Sequence, residues 1–146
     1  MTITVRDIGP QDRAQWLKLW RGYQAFYSVD LSADSDRLWS ALVAPPEAGP
    51  FCLVAEDEHG NLLGMAQYLY HATTWSELPR CYLNDLYTEE SSRGLGVGRA
   101  LIEAVYARAD RHGSSQVYWL TQDTNRQARL LYDRVANCTP FIKYAR

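Results

Sequence analysis

Residues Ser91-Ser92-Arg93-Gly94-Leu95-Gly96-Val97-Gly98-Arg99 set three glycines at alternate positions. Before them lies an apolar stretch, Tyr82-Leu83-Asn84-Asp85-Leu86-Tyr87, and after them Val97, Leu101, Ala104, Val105 and Arg108 follow helical spacing. Glycine lets a main chain bend tightly and bring its N–H groups to an anion with no Cβ in the way, and a helix start adds a favourable dipole. Three alternating glycines are more than a turn demands, so the segment reads as an anion cradle between a strand and a helix.

Two familiar glycine loops do not fit. A triphosphate-binding loop of the Walker type needs Lys and then Ser or Thr after its last glycine, where this chain has Arg99 and Ala100. A dinucleotide fingerprint needs glycine or alanine at Arg99 and an acidic residue about twenty positions on, where Val117-Tyr118-Trp119 stands instead.

A second constellation follows the short apolar run Gln116-Val117-Tyr118-Trp119-Leu120-Thr121. In Asn125-Arg126-Gln127-Ala128-Arg129-Leu130-Leu131-Tyr132, Asn125 can cap a helix and offer an amide, while Tyr132 stands almost two turns on. Small Ala128 leaves room beside that helix, and Leu131 lies on a neighbouring face.

Together, Arg-x-x-Gly-x-Gly at Arg93, Gly96 and Gly98 and Asn-x-x-Ala-x-x-Leu-Tyr at Asn125, Ala128, Leu131 and Tyr132 resemble the GCN5-related N-acetyltransferase (GNAT) family. The likeness runs from Val5 to Tyr144 and is most specific between Tyr82 and Tyr132. Thr74-Trp75-Ser76, Tyr118-Trp119-Leu120-Thr121 and Thr139-Pro140-Phe141-Ile142-Lys143-Tyr144 are similar to the histone and D-amino-acid acetyltransferase branch, and more distantly to the spermidine/spermine enzymes.

The resemblance implies acetyl transfer from acetyl-CoA, used as cosubstrate, to a primary amine: a small amine, polyamine, amino acid or lysine side chain. Main-chain groups of Leu86, Tyr87 and Thr88 are expected along pantetheine, as an added strand would lie. The amides of Arg93, Gly94, Leu95, Gly96, Val97, Gly98 and Arg99 are expected at the pyrophosphate, with Asn125, Ala128 and Leu131 completing the coenzyme site. A homodimer or higher oligomer is implied as well. The alternative is a CoA-binding regulatory or structural protein with weak turnover.

Proton traffic is the physical difficulty of such a reaction. A lysine-like amine has a pKa of about 10.4, so exposing its lone pair at neutral pH costs about 4 to 5 kcal/mol. Tyr132 is the candidate acid for the departing thiolate, with a reference mismatch of about 1.5 units, or about 2 kcal/mol. Tyr82-Leu83-Asn84-Asp85 resembles the Leu-Glu-Asp strand of the polyamine enzymes with Asn84 in place of glutamate, and an amide accepts no proton at neutral pH. Asn84 is therefore read as positioning the amine or a water, with deprotonation through solvent. Asp85 is the nearest carboxylate, but strand alternation sends it to the opposite face, where an ion pair or hydrogen-bonded structural role competes with a catalytic one.

The elements that must position these groups follow from patterning. Ile3 to Ile8 alternates as a strand; Gly9-Pro10-Gln11-Asp12 opens a helix toward Tyr27, and Ser32 to Asp36 opens another, halted by Pro45-Pro46. Phe51 to Glu56 and Leu62 to Tyr70 read as a hairpin. Then come the strand ending near Tyr87, the loop and its helix, the strand from Gln116 to Thr121, the Asn125 helix and a final short strand through Phe141 and Tyr144. The order β-α-α-β-β-β-α-β-α-β predicts a mixed α/β domain over 1-146, and the resemblance implies a mostly antiparallel sheet with splayed fourth and fifth strands and helices on both faces.

A length of 146 residues leaves no room for a second domain, and a formal net charge of -2 without a basic run excludes a general nucleic-acid or membrane field. Local phosphate charge is expected to be met by the loop with Arg93 and Arg99. Cys52, Cys81 and Cys138, odd in number and in apolar surroundings, predict buried reduced thiols in a cytoplasmic protein, and no signal or spanning segment is seen. His59, His71 and His112 share no metal-ligand spacing, so no metal is expected. Trp16, Trp20, Tyr23 and Tyr27 recur at helical spacing and read as a core-facing stripe, with an aromatic acceptor wall as the other reading.

Overall fold

The computed structural model describes residues 1–146. Its strands are β1 (Thr4–Asp7), β2 (Phe51–Glu56), β3 (Leu62–Thr73), β4 (Ser76–Thr88) and β5 (Gln116–Tyr118), and its helices α1 (Arg13–Tyr27), α2 (Ser35–Val43), α3 (Val97–His112) and α4 (Arg126–Val135). The strands form one sheet in sequence order, antiparallel until the last pair, where β5 runs parallel to β4.

Each face of the sheet buries its own apolar cluster. Trp16, Leu19 and Trp20 of α1 and Trp39 and Leu42 of α2 pack on Cys52, Val54, Leu62 and Met65. On the other face, Leu101, Ile102, Val105 and Ala109 of α3 cover Leu53, Ala55, Ala66, Tyr68, Cys81 and Leu83, with Leu131, Tyr132 and Val135 of α4 at the margin. Alternating residues of β2 thus serve both clusters, which explains its nearly continuous apolar sequence.

Polar groups fix where α1 begins. Asp12 is 2% exposed, accepts two bonds from the Arg6 guanidinium at 2.8 and 2.9 Å, and takes the Gly9 N–H at 2.8 Å. The paired Arg6 holds the Asp12 carboxyl below its ordinary range against the opposing effect of burial. At the far end of α3, Gly113 adopts φ 85° and turns its N–H back to Ala109 and Asp110, ending the helix in the left-handed form that glycine accepts most easily.

Three expectations are corrected. β5 stops at Tyr118 rather than Thr121, and residues 136–146 hold no strand. A strand needs a neighbour to bond: Pro140 offers no N–H, and Phe141, Ile142 and Tyr144 stand 75 to 89% exposed with no sheet edge beside them. Cys52 and Cys81 are buried free thiols, but Cys138 is exposed. No helix is long and apolar enough to cross a membrane.

Candidate active site

β4 leads directly into the glycine loop. Gly94 and Gly96 have φ of 79° and 87°, with open space where a Cβ would stand. That left-handed backbone aims successive main-chain N–H groups outward: from Gly94 to Arg99 none has a backbone acceptor, and the first α3 bond is Ala100 N–H to Gly96 O at 3.0 Å. Free donors at a helix start, beside glycines that leave the approach open, suit a diphosphate. Gly98 serves packing instead, since a Cβ there would lie 3.2 Å from Leu131 Cδ2.

The arginine side chains of the loop are engaged elsewhere. Arg93 Nε donates to Thr88 O at 3.0 Å, with its guanidinium over the rings of Phe26 and Tyr87 at 5.5 and 5.6 Å. Arg99 Nε donates to Glu103 at 2.9 Å. Arg93 therefore ties the loop to α1 and to the end of β4.

β5 pairs with β4 only from Arg80 to Tyr82, opposite Gln116 to Tyr118. Beyond Tyr82, the edge of β4 that includes Leu86, Tyr87 and Thr88 has no strand beside it, which leaves main-chain groups free in a gap between diverging strands. α4 stands beyond this gap. Tyr106 Oη of α3 donates to Val135 O at 2.8 Å, and Trp119 meets Tyr132 edge-on with centroids 5.4 Å apart.

Burial pushes the Tyr132 phenol up to about 12, with the nearby Tyr27 adding to the rise, so the group stays protonated at neutral pH. Asn125 makes no side-chain cap; its Nδ2 donates back to Thr121 Oγ1 at 3.2 Å, holding the turn before α4. Ala128 is partly buried.

The register of β4 changes at Asn84. Gln67 pairs with Asp85 and Tyr68 with Leu83, so Asn84 is the extra residue of a bulge, and its side chain is exposed. In an unbroken strand Leu83, Asp85 and Tyr87 would share a face. The bulge instead leaves Leu83 under α3 and turns Asp85, with Tyr87, toward α1.

There Gln67 Nε2 donates to Asp85 Oδ2 at 2.8 Å, and its Oε1 accepts the Trp16 Nε1–H at 2.8 Å. Because indole only donates, the Gln67 amide can take only this orientation. Tyr23 of α1 lies near the same carboxylate. Burial raises the Asp85 carboxyl above its ordinary range, and its polar neighbours Tyr23 and Gln67 only partly offset it.

The structure thus leads from the free edge of β4 at Leu86, Tyr87 and Thr88 directly into the loop, with Asn84 exposed at the bulge and Tyr132 at the margin of the α3 cluster. Sequence reasoning missed Gln67, which bridges Trp16 and Asp85. The helical stripe divides: Trp16 and Trp20 are buried, whereas Tyr23 and Tyr27 are half-buried and face Asp85. A bulge leaves no mark in local composition; the polar pair Asn84-Asp85 inside an apolar strand was its one signal.

The pattern of the Acetyltransferase (GNAT) family matches residues 16–136. The chain is 41% identical over 145 residues to the D-amino-acid N-acetyltransferase HPA3 of Saccharomyces cerevisiae, covering 99% of this chain and 90% of that one. A ribosomal-protein-alanine N-acetyltransferase from Brucella melitensis superposes with a TM-score of 0.80 at 19% identity, covering 99% and 98% of the two chains. The structure of AAC(6')-Iy in complex with a bisubstrate CoA analogue gives a TM-score of 0.81 at 16% identity, covering 100% and 98%. With the family matched across most of its length and a relative of this identity spanning nearly all of it, the chain belongs to the GNAT family and is an acetyl-CoA-dependent N-acetyltransferase.

Proposed function

We propose that this enzyme acetylates the amino group of a free amino acid or similarly small amine. The observation that carries this reading is the parting of β4 from β5 beyond Tyr82, between the free N–H groups that follow β4 and the Tyr132 phenol. The substrate named for the relative at 41% identity favours an amino acid over a protein lysine.

In this reading the thioester lies along the free edge of β4. Main-chain groups of Leu86, Tyr87 and Thr88 hold pantetheine, the amides from Arg93 to Arg99 hold the diphosphate, and Ala128 and Leu131 of α4 border the coenzyme, with Asn125 fixing the turn before them. Asn84, exposed at the bulge, positions the incoming amine or a water.

Tyr132 gives its proton to the thiolate. A phenol at about 12 is a poor match for an ordinary thiol, but burial acts on sulfur too. The Cys81 thiol of this protein is itself pushed up to about 12 by burial. Burial would raise a coenzyme thiol in the same sense and narrow its mismatch with the Tyr132 donor.

The buried free thiols fit a reducing cytoplasm, and the exposed Phe141, Ile142 and Tyr144 fit a homodimer or higher oligomer that covers them. Thiol release from acetyl-CoA across amino acids of both hands, polyamines and lysine peptides tests the acceptor assignment. Fastest release with free amino acids is expected; a lysine peptide or polyamine as best acceptor overturns it.

A further inference from the structure

Between the last turns of α3 and the sheet lies a cavity of about 500 Å³, a volume in the range of small-molecule sites. Phe51 of β2 and Tyr68 and Tyr70 of β3 give it an aromatic wall, with Phe51 stacked on Tyr68 at 5.4 Å and Tyr70 edge-on to Tyr68 at 6.0 Å. The free N–H groups of the glycine loop stand at the start of α3 and this cavity at its end, so about 20 Å of helix separates the two.

Tyr68 and Tyr70 are 3% and 7% exposed. The Trp20 indole N–H is the one fully enclosed side-chain polar atom of the protein without a partner, so the Tyr70 hydroxyl, which no protein group bonds, opens on the cavity that it lines. Burial raises both phenols, that of Tyr68 to about 12, and each therefore keeps its proton at neutral pH and can donate it to a bond.

α3 contributes the charge. Arg111 and His112 follow Arg108 at the spacing that puts residues on one face of a helix, and all three line the cavity. Arg108 gives Nη1 to Asp7 Oδ1 at 2.6 Å, whereas Arg111 has no carboxylate partner. The His112 imidazole lies flat on the Tyr70 ring, with centroids 3.6 Å apart and planes 7° apart. Basic residues suit the last turn of any helix, where they complement its dipole, but that preference sets no direction around the axis. Here the three converge on buried phenols.

Asp7 is the one acid at the cavity, and Arg108 occupies it, which leaves nothing to balance an ammonium group. Planar guanidinium forks grip a carboxylate, and the rings accept a flat apolar body. We propose that this cavity is a second ligand site, which takes a small aromatic carboxylate on Arg111, Arg108 and the Tyr70 hydroxyl, apart from the site of acetyl transfer. The proposal does not depend on which amine is acetylated.

The test is calorimetric titration of the enzyme saturated with coenzyme A, using phenylacetate, its neutral isostere phenylacetamide, and inorganic phosphate. Phenylacetate is expected to bind saturably and at least about fivefold tighter than either of the others. Arg111→Ala should weaken it by about tenfold or more, Arg111→Lys by less, and Tyr70→Phe by about threefold or more. In each variant, kcat and coenzyme A affinity should stay within about twofold of wild type, since none of these residues meets the coenzyme.

No saturable binding of phenylacetate, or binding that Arg111→Ala leaves unchanged, overturns the proposal. Strict competition between phenylacetate and the acceptor amine overturns it too, because the ligand would then sit in the site of acetyl transfer. Phosphate or phenylacetamide binding as tightly as phenylacetate overturns the class of ligand.

Discussion

Tyr87 of β4 stands over Gly22 of α1 so closely that a Cβ at position 22 would lie 2.8 Å from Tyr87 Cζ. The same ring stacks with the Arg93 guanidinium, and Arg93 bonds Thr88 O, so a helix glycine sets the position of the glycine loop through one aromatic side chain. Two effects oppose each other in Gly22→Ala. Helix propensity favours alanine by about 1 kcal/mol, whereas overpacking a fitted contact costs about 1 to 3 kcal/mol. The clash is expected to win, because the ring is held from its other side by Arg93. Thermal melting should show a modest loss of stability, and calorimetric titration a coenzyme A affinity at least several-fold weaker. A variant that is more stable than wild type and binds coenzyme A normally would show that Tyr87 moves freely.

Tyr132 meets Trp119 and lies on the margin of the α3 cluster, with its hydroxyl making no bond within the protein. Tyr132→Phe therefore removes chemistry and little packing. The expected result is a fall in kcat of about 100-fold or more with coenzyme A affinity unchanged. Melting temperature should stay near that of wild type. A kcat within threefold of wild type would assign the thiolate's proton to water.

The cradle and the α4 constellation were legible because their chemistry needs particular residues in order: glycines where the chain turns left-handed, and a phenol at a fixed helical interval. Strands β1 to β4 and the four helices followed from periodicity and from the stops at Pro45-Pro46 and Gly113. The surroundings of Asp85 were not legible, because they are made by a change of register. Reading Tyr82 to Tyr87 as an unbroken strand gives no reason for Asp85 to meet Tyr23. Only pairing with β3, where Gln67 faces Asp85 and Tyr68 faces Leu83, reveals the extra residue. The segment through Phe141 and Tyr144 alternates like a strand, but alternation states a preference for a pleated surface and supplies no partner.

Gly96 isolates backbone shape from packing in the loop. Its φ is 87° and no atom lies within 4 Å of the place a Cβ would take, so Gly96→Ala incurs backbone strain without a protein clash. Left-handed alanine costs about 1 to 2 kcal/mol, and the added methyl would face the approach to the free N–H groups. A small drop in melting temperature with a coenzyme A affinity at least about tenfold weaker is expected. Binding that falls no more than stability would mean that these donors do not face the diphosphate.

Asp12 and Asp85 should respond to pH in opposite senses. Arg6 holds Asp12 below its ordinary value, so the folded state binds fewer protons than the unfolded one: the stabilisation is complete above the unfolded value of about 3.9 and is lost as pH falls through the folded value. Asp85 is raised by burial, so folding takes up a proton there; its favourable contribution is complete below about 3.9 and is lost as pH rises through the folded value. At neutral pH, Asp12→Asn should therefore lower the melting temperature, leaving Arg6 without its buried partner. Asp85→Asn should raise it, because an ionised carboxylate without a cation is replaced by a neutral amide of the same shape. The Asp85 difference should shrink on acidification toward about pH 4, whereas the Asp12 difference should hold to about pH 4 and shrink only below it. Melts of the two variants and the wild type from about pH 4 to 8 check the signs, and an Asp85→Asn protein less stable than wild type at neutral pH would mean that Gln67 and Tyr23 stabilise the carboxylate more than burial opposes it.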